Sequence, residues 1–70
     1  MKKFSIIIAN RHATSISLEE EFYEELVSIA KEKGVTINKL VTEIDTQREI
    51  SNLSSALRVY ILKHLQQKIH

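Results

Sequence analysis

By residue type, the groups best suited to chemistry are three consecutive carboxylates, Glu19, Glu20 and Glu21, and three histidines, His12, His64 and His70. Consecutive acids just ahead of an apolar periodic run are far more often partners of a helix dipole than a metal or proton-transfer site. The histidines have no ligand spacing, and with no cysteine in the sequence there is neither a disulfide nor a thiolate zinc site. One glycine cannot build a glycine-rich phosphate loop, and no nucleophile, base and orienter set stands out. The expectation is a binding protein: not an enzyme, with no catalytic residues, no metal and no cofactor.

Charge distribution says more about binding than the net charge of +1. Residues 1–18 carry Lys2, Lys3 and Arg11 and no acid, whereas Glu19, Glu20, Glu21, Glu24, Glu25 and Glu32 follow directly. A basic, acid-free N-terminus ahead of an acidic helix points to the former as the surface that meets an anionic partner. Residues 12–18 alternate, with Thr14, Ile16 and Leu18 on one face and Ala13, Ser15 and Ser17 on the other, the period of a half-buried strand. If Ile16 and Leu18 face a core, Ser15 and Ser17 face outward and Ala13 and Arg11 continue their row, while His12 leans inward.

The elements that must position these residues follow from punctuation and periodicity. Phe4 to Ala9 is a second β-prone run, which forms either a hairpin with 12–18 or part of one longer bent strand. After Met1-Lys2-Lys3 it is at the short limit for a signal peptide and runs straight into Asn10-Arg11-His12, so it reads as a strand. Ser17 has the capping-box spacing to Glu20, which predicts a first helix over about 18–33 with Phe22, Leu26, Ile29 and Ala30 as its stripe. Gly34 closes it, and Thr36 caps a second helix over about 37–48 that buries Ile37, Leu40, Val41 and Ile44. Ser51-Asn52 breaks the pattern, and a third helix runs over about 53–68 through Ala56, Leu57, Tyr60, Ile61 and Leu65, with Val59 and Leu62 on its other side. Arg58, in that apolar segment, pairs with Asp45 or Glu43 or reaches solvent past its stem.

A chain of 70 residues is one domain and buries only about 60% of the surface its unfolded form exposes, so small chains commonly need a disulfide, a metal or a partner subunit. With the first two unsupported, oligomerisation is left, and a third helix apolar over so much of its circumference needs more neighbours than one small chain supplies. No stretch approaches the roughly 20 apolar residues of a membrane helix, so no membrane partner is expected, and the lack of cysteine fits a reducing cytoplasm.

The order of strand, capped helix, Gly-x-Thr turn and second helix, read from Thr14-Ser15-Ile16-Ser17-Leu18 through Ala30-Lys31-Glu32-Lys33-Gly34-Val35-Thr36, resembles the ribbon-helix-helix superfamily of Arc, MetJ and CopG-like repressors. Thr14 to Glu19, Leu40-Val41-x-x-Ile44-Asp45 and Asn52-Leu53-Ser54-Ser55-Ala56-Leu57-Arg58 together are similar to a bacterial subfamily of short ribbon-helix-helix proteins, over nearly the whole chain. The fold class implied is mainly α with a short β ribbon, extended by a C-terminal helix, as an intertwined homodimer whose two strands, one per subunit, pair and enter the DNA major groove. The resemblance implies DNA contacts from Arg11, Ala13, Ser15 and Ser17 on the ribbon. It implies a phosphate at the second helix's N-terminus, where Thr36, Ile37 and Asn38 offer free amides beside Lys39, and Lys2 and Lys3 add phosphate contacts. Relatives often carry arginine, lysine, asparagine or glutamine on the ribbon. Two serines and an alanine discriminate bases poorly, so phosphates would carry most of the affinity.

The function implied is sequence-preferring binding of double-stranded DNA by a homodimeric transcriptional regulator, a repressor in the manner of the named relatives. The alternative is a protein-interaction module, or the antitoxin of a toxin–antitoxin pair, offering the third helix to a protein partner. A second register also fits, in which Asn52 to Arg58 opens the true second helix of the motif and residues 36–48 are an insertion.

Overall fold

Isoleucine-rich alternation at the N-terminus finds its hydrogen-bonding partner inside the same chain. In the computed structural model, which describes residues 1–8 and 12–69, strands β1 (Lys2–Ile8) and β2 (His12–Leu18) pair antiparallel. The register runs from Lys2 opposite Leu18, through Phe4 opposite Ile16 and Ser5 opposite Ser15, to Ile8 opposite His12. The hairpin is thus the alternative realised, and β1 begins two residues before the expected start; Ala9, placed in that strand from sequence, lies outside the described residues. The strand expected to pair with its copy in a second subunit is paired on one edge with β1 of its own chain, where β-branched Ile6, Ile7 and Ile8 suit a strand.

One face of the hairpin carries Phe4, Ile6 and Ile8 from β1 and Ile16 and Leu18 from β2 toward the helices, with Ile6, Ile16 and Leu18 buried. The helices are α1 (Glu20–Lys33), α2 (Ile37–Gln47) and α3 (Leu53–Ile69). β1 lies against α2 and β2 against α3, and the core between them gathers Leu26, Ile29, Leu40, Val41, Leu57 and Ile61. The Phe4 ring meets Tyr23 of α1 at 5.0 Å between centroids, tying the ribbon's start to the first helix.

The start of α1 departs from the sequence expectation. Leu18 is the last strand residue and fully buried, and Ser17 sits in the ladder opposite Lys3 rather than capping a helix. Burying Leu18 across from Lys2 prolongs the ladder, and this outweighs one side-chain cap of about 1 kcal/mol. The N-cap is Glu19, whose carbonyl accepts from the Tyr23 amide at 2.9 Å and whose carboxylate makes no capping bond. That carboxylate takes Arg58 Nε instead, at 2.8 Å, so the partner of Arg58 is neither Asp45 nor Glu43. Asp45 pairs with Arg48 at 2.7 Å.

The other boundaries are set locally. Gly34 adopts φ 68° and ψ 32°, the Gly34 amide donates to Lys31 O at 3.1 Å and the Val35 amide to Ala30 O at 3.0 Å, the paired bonds of a Schellman end. Thr36 Oγ1 accepts the Lys39 amide at 3.0 Å to open α2, and Asn52 Oδ1 accepts the Ser55 amide at 3.0 Å to open α3.

Candidate nucleic-acid interface

The face of the hairpin turned away from the helices is built from three cross-strand pairs: Lys3 with Ser17, Ser5 with Ser15, and Ile7 with Ala13. Lys3, Ser5, Ile7, Ala13 and Ser15 are exposed and Ser17 is half-buried. Neither strand contains an acid, so the face offers one cation, three hydroxyls and an apolar end formed by Ile7 and Ala13. Two paired strands lie about 4.8 Å apart, a ribbon that fits a major groove about 12 Å wide.

The N-terminus of α2 is fastened beside this ribbon. Asn38 Oδ1 accepts the Ile7 amide at 2.9 Å, and Asn38 Nδ2 donates to Ile7 O at 3.0 Å. Because both backbone groups of Ile7 turn away from β2, the Ile7–Ala13 pair is of the non-hydrogen-bonded kind. The alternation then directs the backbone groups of Ala13, Ser15 and Ser17 toward the outer edge of β2. The Asn38 side chain is therefore occupied on the ribbon edge, while the first-turn amides of Ile37 and Asn38 have no acceptor in the helix. Lys39 is exposed one residue on, its amide taken by Thr36. Of the two candidate registers, α2 is the helix whose first turn bonds directly to the ribbon.

Three other residues singled out from the sequence do not join this face in the described structure. Lys2 belongs to the opposite face from Lys3, and its Nζ stands 5.4 Å from the centroid of the Tyr23 ring, a cation–π contact. His12, expected to lean inward, is exposed, because it stands at the end of the ladder where its partner Ile8 is only half-buried. Arg11 lies outside the described residues. Ser5 and Ile7 belong to the outward face and were missed from sequence; once the hairpin register is known, the same alternation that selects Ser15 selects them.

Two ion clusters hold the scaffold behind the ribbon. Hydrogen bonding to Arg58 is the main cause that holds the Glu19 carboxyl below its ordinary range, with Glu19's own backbone amide adding to it. Farther along, Glu32 of α1 accepts Lys68 Nζ and stands 3.2 Å from His64 Nε2, both on α3. The Lys68 hydrogen bond is the first cause lowering the Glu32 carboxyl, and His64 adds to it. Among the described residues no cluster of His, Cys, Asp or Glu is arranged to hold a metal, and no helix is long and apolar enough to cross a membrane.

No curated protein and no solved structure matches the chain. The family model of the ribbon-helix-helix domain does, over residues 1–65, which takes in the hairpin, α1, α2 and most of α3. With the two-stranded antiparallel ribbon, the helices that follow it and that match, the chain belongs to the ribbon-helix-helix domain family.

Proposed function

We propose that this protein is a homodimeric transcriptional regulator that binds double-stranded DNA by laying the outward face of its hairpin in the major groove. The observation that carries the reading is the composition of that face: Lys3, Ser5, Ser15 and Ser17 on a two-stranded ribbon without an acid, flanked by the first turn of α2. Membership of a family commonly made of DNA-binding regulators supports it. Lys3 and the free amides of Ile37 and Asn38 contact phosphates, as do Lys39 and Arg11. Serine hydroxyls accept or donate to any base edge, whereas Ile7 and Ala13 offer apolar contact to a thymine methyl, so sequence preference is modest and favours thymine at the ribbon's Ile7 end.

Binding measured by fluorescence anisotropy on short duplexes across a salt series tests this. Affinity should fall steeply with salt, with a logarithmic slope of about −0.9 for each phosphate neutralised. Ser15→Ala and Ile7→Ser should alter the ranking of sequences more than overall affinity. Duplex affinity that is undetectable at low salt, or untouched by Lys3→Ala and Ser15→Ala combined, would remove the ribbon as the DNA-reading surface. It would also favour the protein-interaction reading, antitoxins included.

A further inference from the structure

Asn38 is an exposed residue of α2, yet its side-chain amide spans both backbone groups of Ile7: Oδ1 accepts the Ile7 amide at 2.9 Å and Nδ2 donates to Ile7 O at 3.0 Å. That is the acceptor and donor pair a neighbouring strand would offer, set on the edge of β1 turned away from β2. Among the described residues these are the only hydrogen bonds between the hairpin and α2. The rest of the packing of β1 on α2 belongs to the apolar core that includes Ile6, Leu40 and Val41, which holds the two elements together without fixing a direction. The Asn38 bonds do fix one, since a hydrogen bond weakens steeply once it is bent or stretched. Thr36 Oγ1 takes the Lys39 amide in the same turn, and Thr42 Oγ1 donates to Asn38 O at 2.7 Å, so the turn that carries Asn38 is itself held.

We propose that Asn38 is a positioning residue for DNA recognition, which fixes the Ile7 end of the ribbon and the first turn of α2 as one rigid unit. The two have to act together: the ribbon meets base edges inside the groove, the turn meets phosphates beside it, and the duplex sets the offset between them. Asn38 stands at their junction. Its side chain grips β1 at Ile7, the residue that offers an apolar contact to thymine, while its own backbone amide and that of Ile37 are the free donors of the turn, beside Lys39. Removing the side chain leaves every one of those DNA-contacting groups in place, so what is lost is their alignment. The inference rests on the DNA-binding reading above and names the residue that aligns its two parts.

Anisotropy titrations of Asn38→Ala against the same duplexes and salt series test it. Binding should weaken about tenfold, and the salt slope should flatten by about 0.9 per chain as Lys39 loses its phosphate. Ile7→Ser should change the ranking of sequences much less in the Asn38→Ala background than in the wild type, because coupled sites are not additive. Ile61→Val, which removes one methylene from a fully buried side chain of α3, is the comparison for a loss of stability alone and should leave affinity, slope and ranking as they are. Asn38→Ser, likewise too short to reach both groups of Ile7, should repeat the Asn38→Ala result and takes its place if circular dichroism finds Asn38→Ala unfolded. Wild-type affinity and slope in the Asn38 variants, equal losses in Ile61→Val, or an undiminished effect of Ile7→Ser would each overturn Asn38 as the positioning residue while sparing the ribbon as the DNA-reading surface. A wild type without duplex affinity at low salt overturns both.

Discussion

Gly34 is the residue at which local chemistry is least negotiable. Its φ of 68° lies in the left-handed region, yet a Cβ built there meets nothing within 4 Å, so a substitution is penalised by backbone conformation and not by a clash. Gly34→Val should therefore lower stability by about 1–2 kcal/mol or somewhat more, because a β-branched residue is the poorest fit to that region, whereas Gly34→Asn should cost much less. Urea denaturation of the two variants measures the difference, and equal stabilities would mean that the α1 end relaxes out of this geometry. Glycine and the Thr36 cap were both legible in the sequence because they act within four residues. The Arg58–Glu19 pair was not, since its partners are 39 positions apart and only the docking of α3 beside the end of β2 brings them together.

At the scale of elements, two polar fastenings hold otherwise apolar packing in register. Asn38 joins α2 to β1 by two hydrogen bonds to Ile7, each of which contributes about 0.5–1.5 kcal/mol net. Asn38→Ala should cost about 1–2 kcal/mol and speed hydrogen exchange at the Ile7 amide, with little change at amides bonded within the ladder. The second fastening is Glu32 with Lys68 and His64, which joins the last turns of α1 and α3. Glu19 and Glu32 both have carboxyls lowered in the folded chain, so they stabilise it above the unfolded glutamate pKa of about 4.3. That contribution fades as pH falls through their lower folded values. Stability measured from neutral pH down to the acid range should therefore drop on that limb, and the drop should be smaller in Glu19→Gln/Glu32→Gln. An unchanged acid limb would show that solvent screens both pairs to nothing.

For the whole molecule, the hairpin changes what a dimer has to do. Each chain carries its own two-stranded hairpin, so a homodimer presents two of them. The Lys3→Ala substitution then acts once on each chain, and the salt slope of duplex binding should flatten by about 0.9 per chain, or twice that for a dimer with both ribbons engaged. A flattening near 0.9 in a protein shown to be dimeric would mean that one ribbon alone touches DNA. Arg11→Ala should behave alike, weakening binding on every sequence rather than altering preference.

The periodicities, the Gly34 stop and the Thr36 cap were determined by sequence alone. The alternation of residues 13–18, the stripes Leu26-Ile29-Ala30 and Leu40-Val41-Ile44, the stop at Gly34 and the cap at Thr36 depend on neighbours a few positions away, and each appears in the fold as read. Tertiary structure decided three things that local chemistry leaves balanced. Ser17 had two uses, cap and ladder, and the burial of Leu18 settled it for the ladder. Phe4 to Ala9 had two conformations, and pairing between β1 and β2 settled it as a hairpin over Lys2–Ile8. Asn38 had a free side chain at a helix start, and the unpaired edge of β1 at Ile7 took it. In each case the competing local states lie within about 1–2 kcal/mol of each other. Contacts between residues distant in sequence are large enough to choose between such states, and no window of sequence contains them.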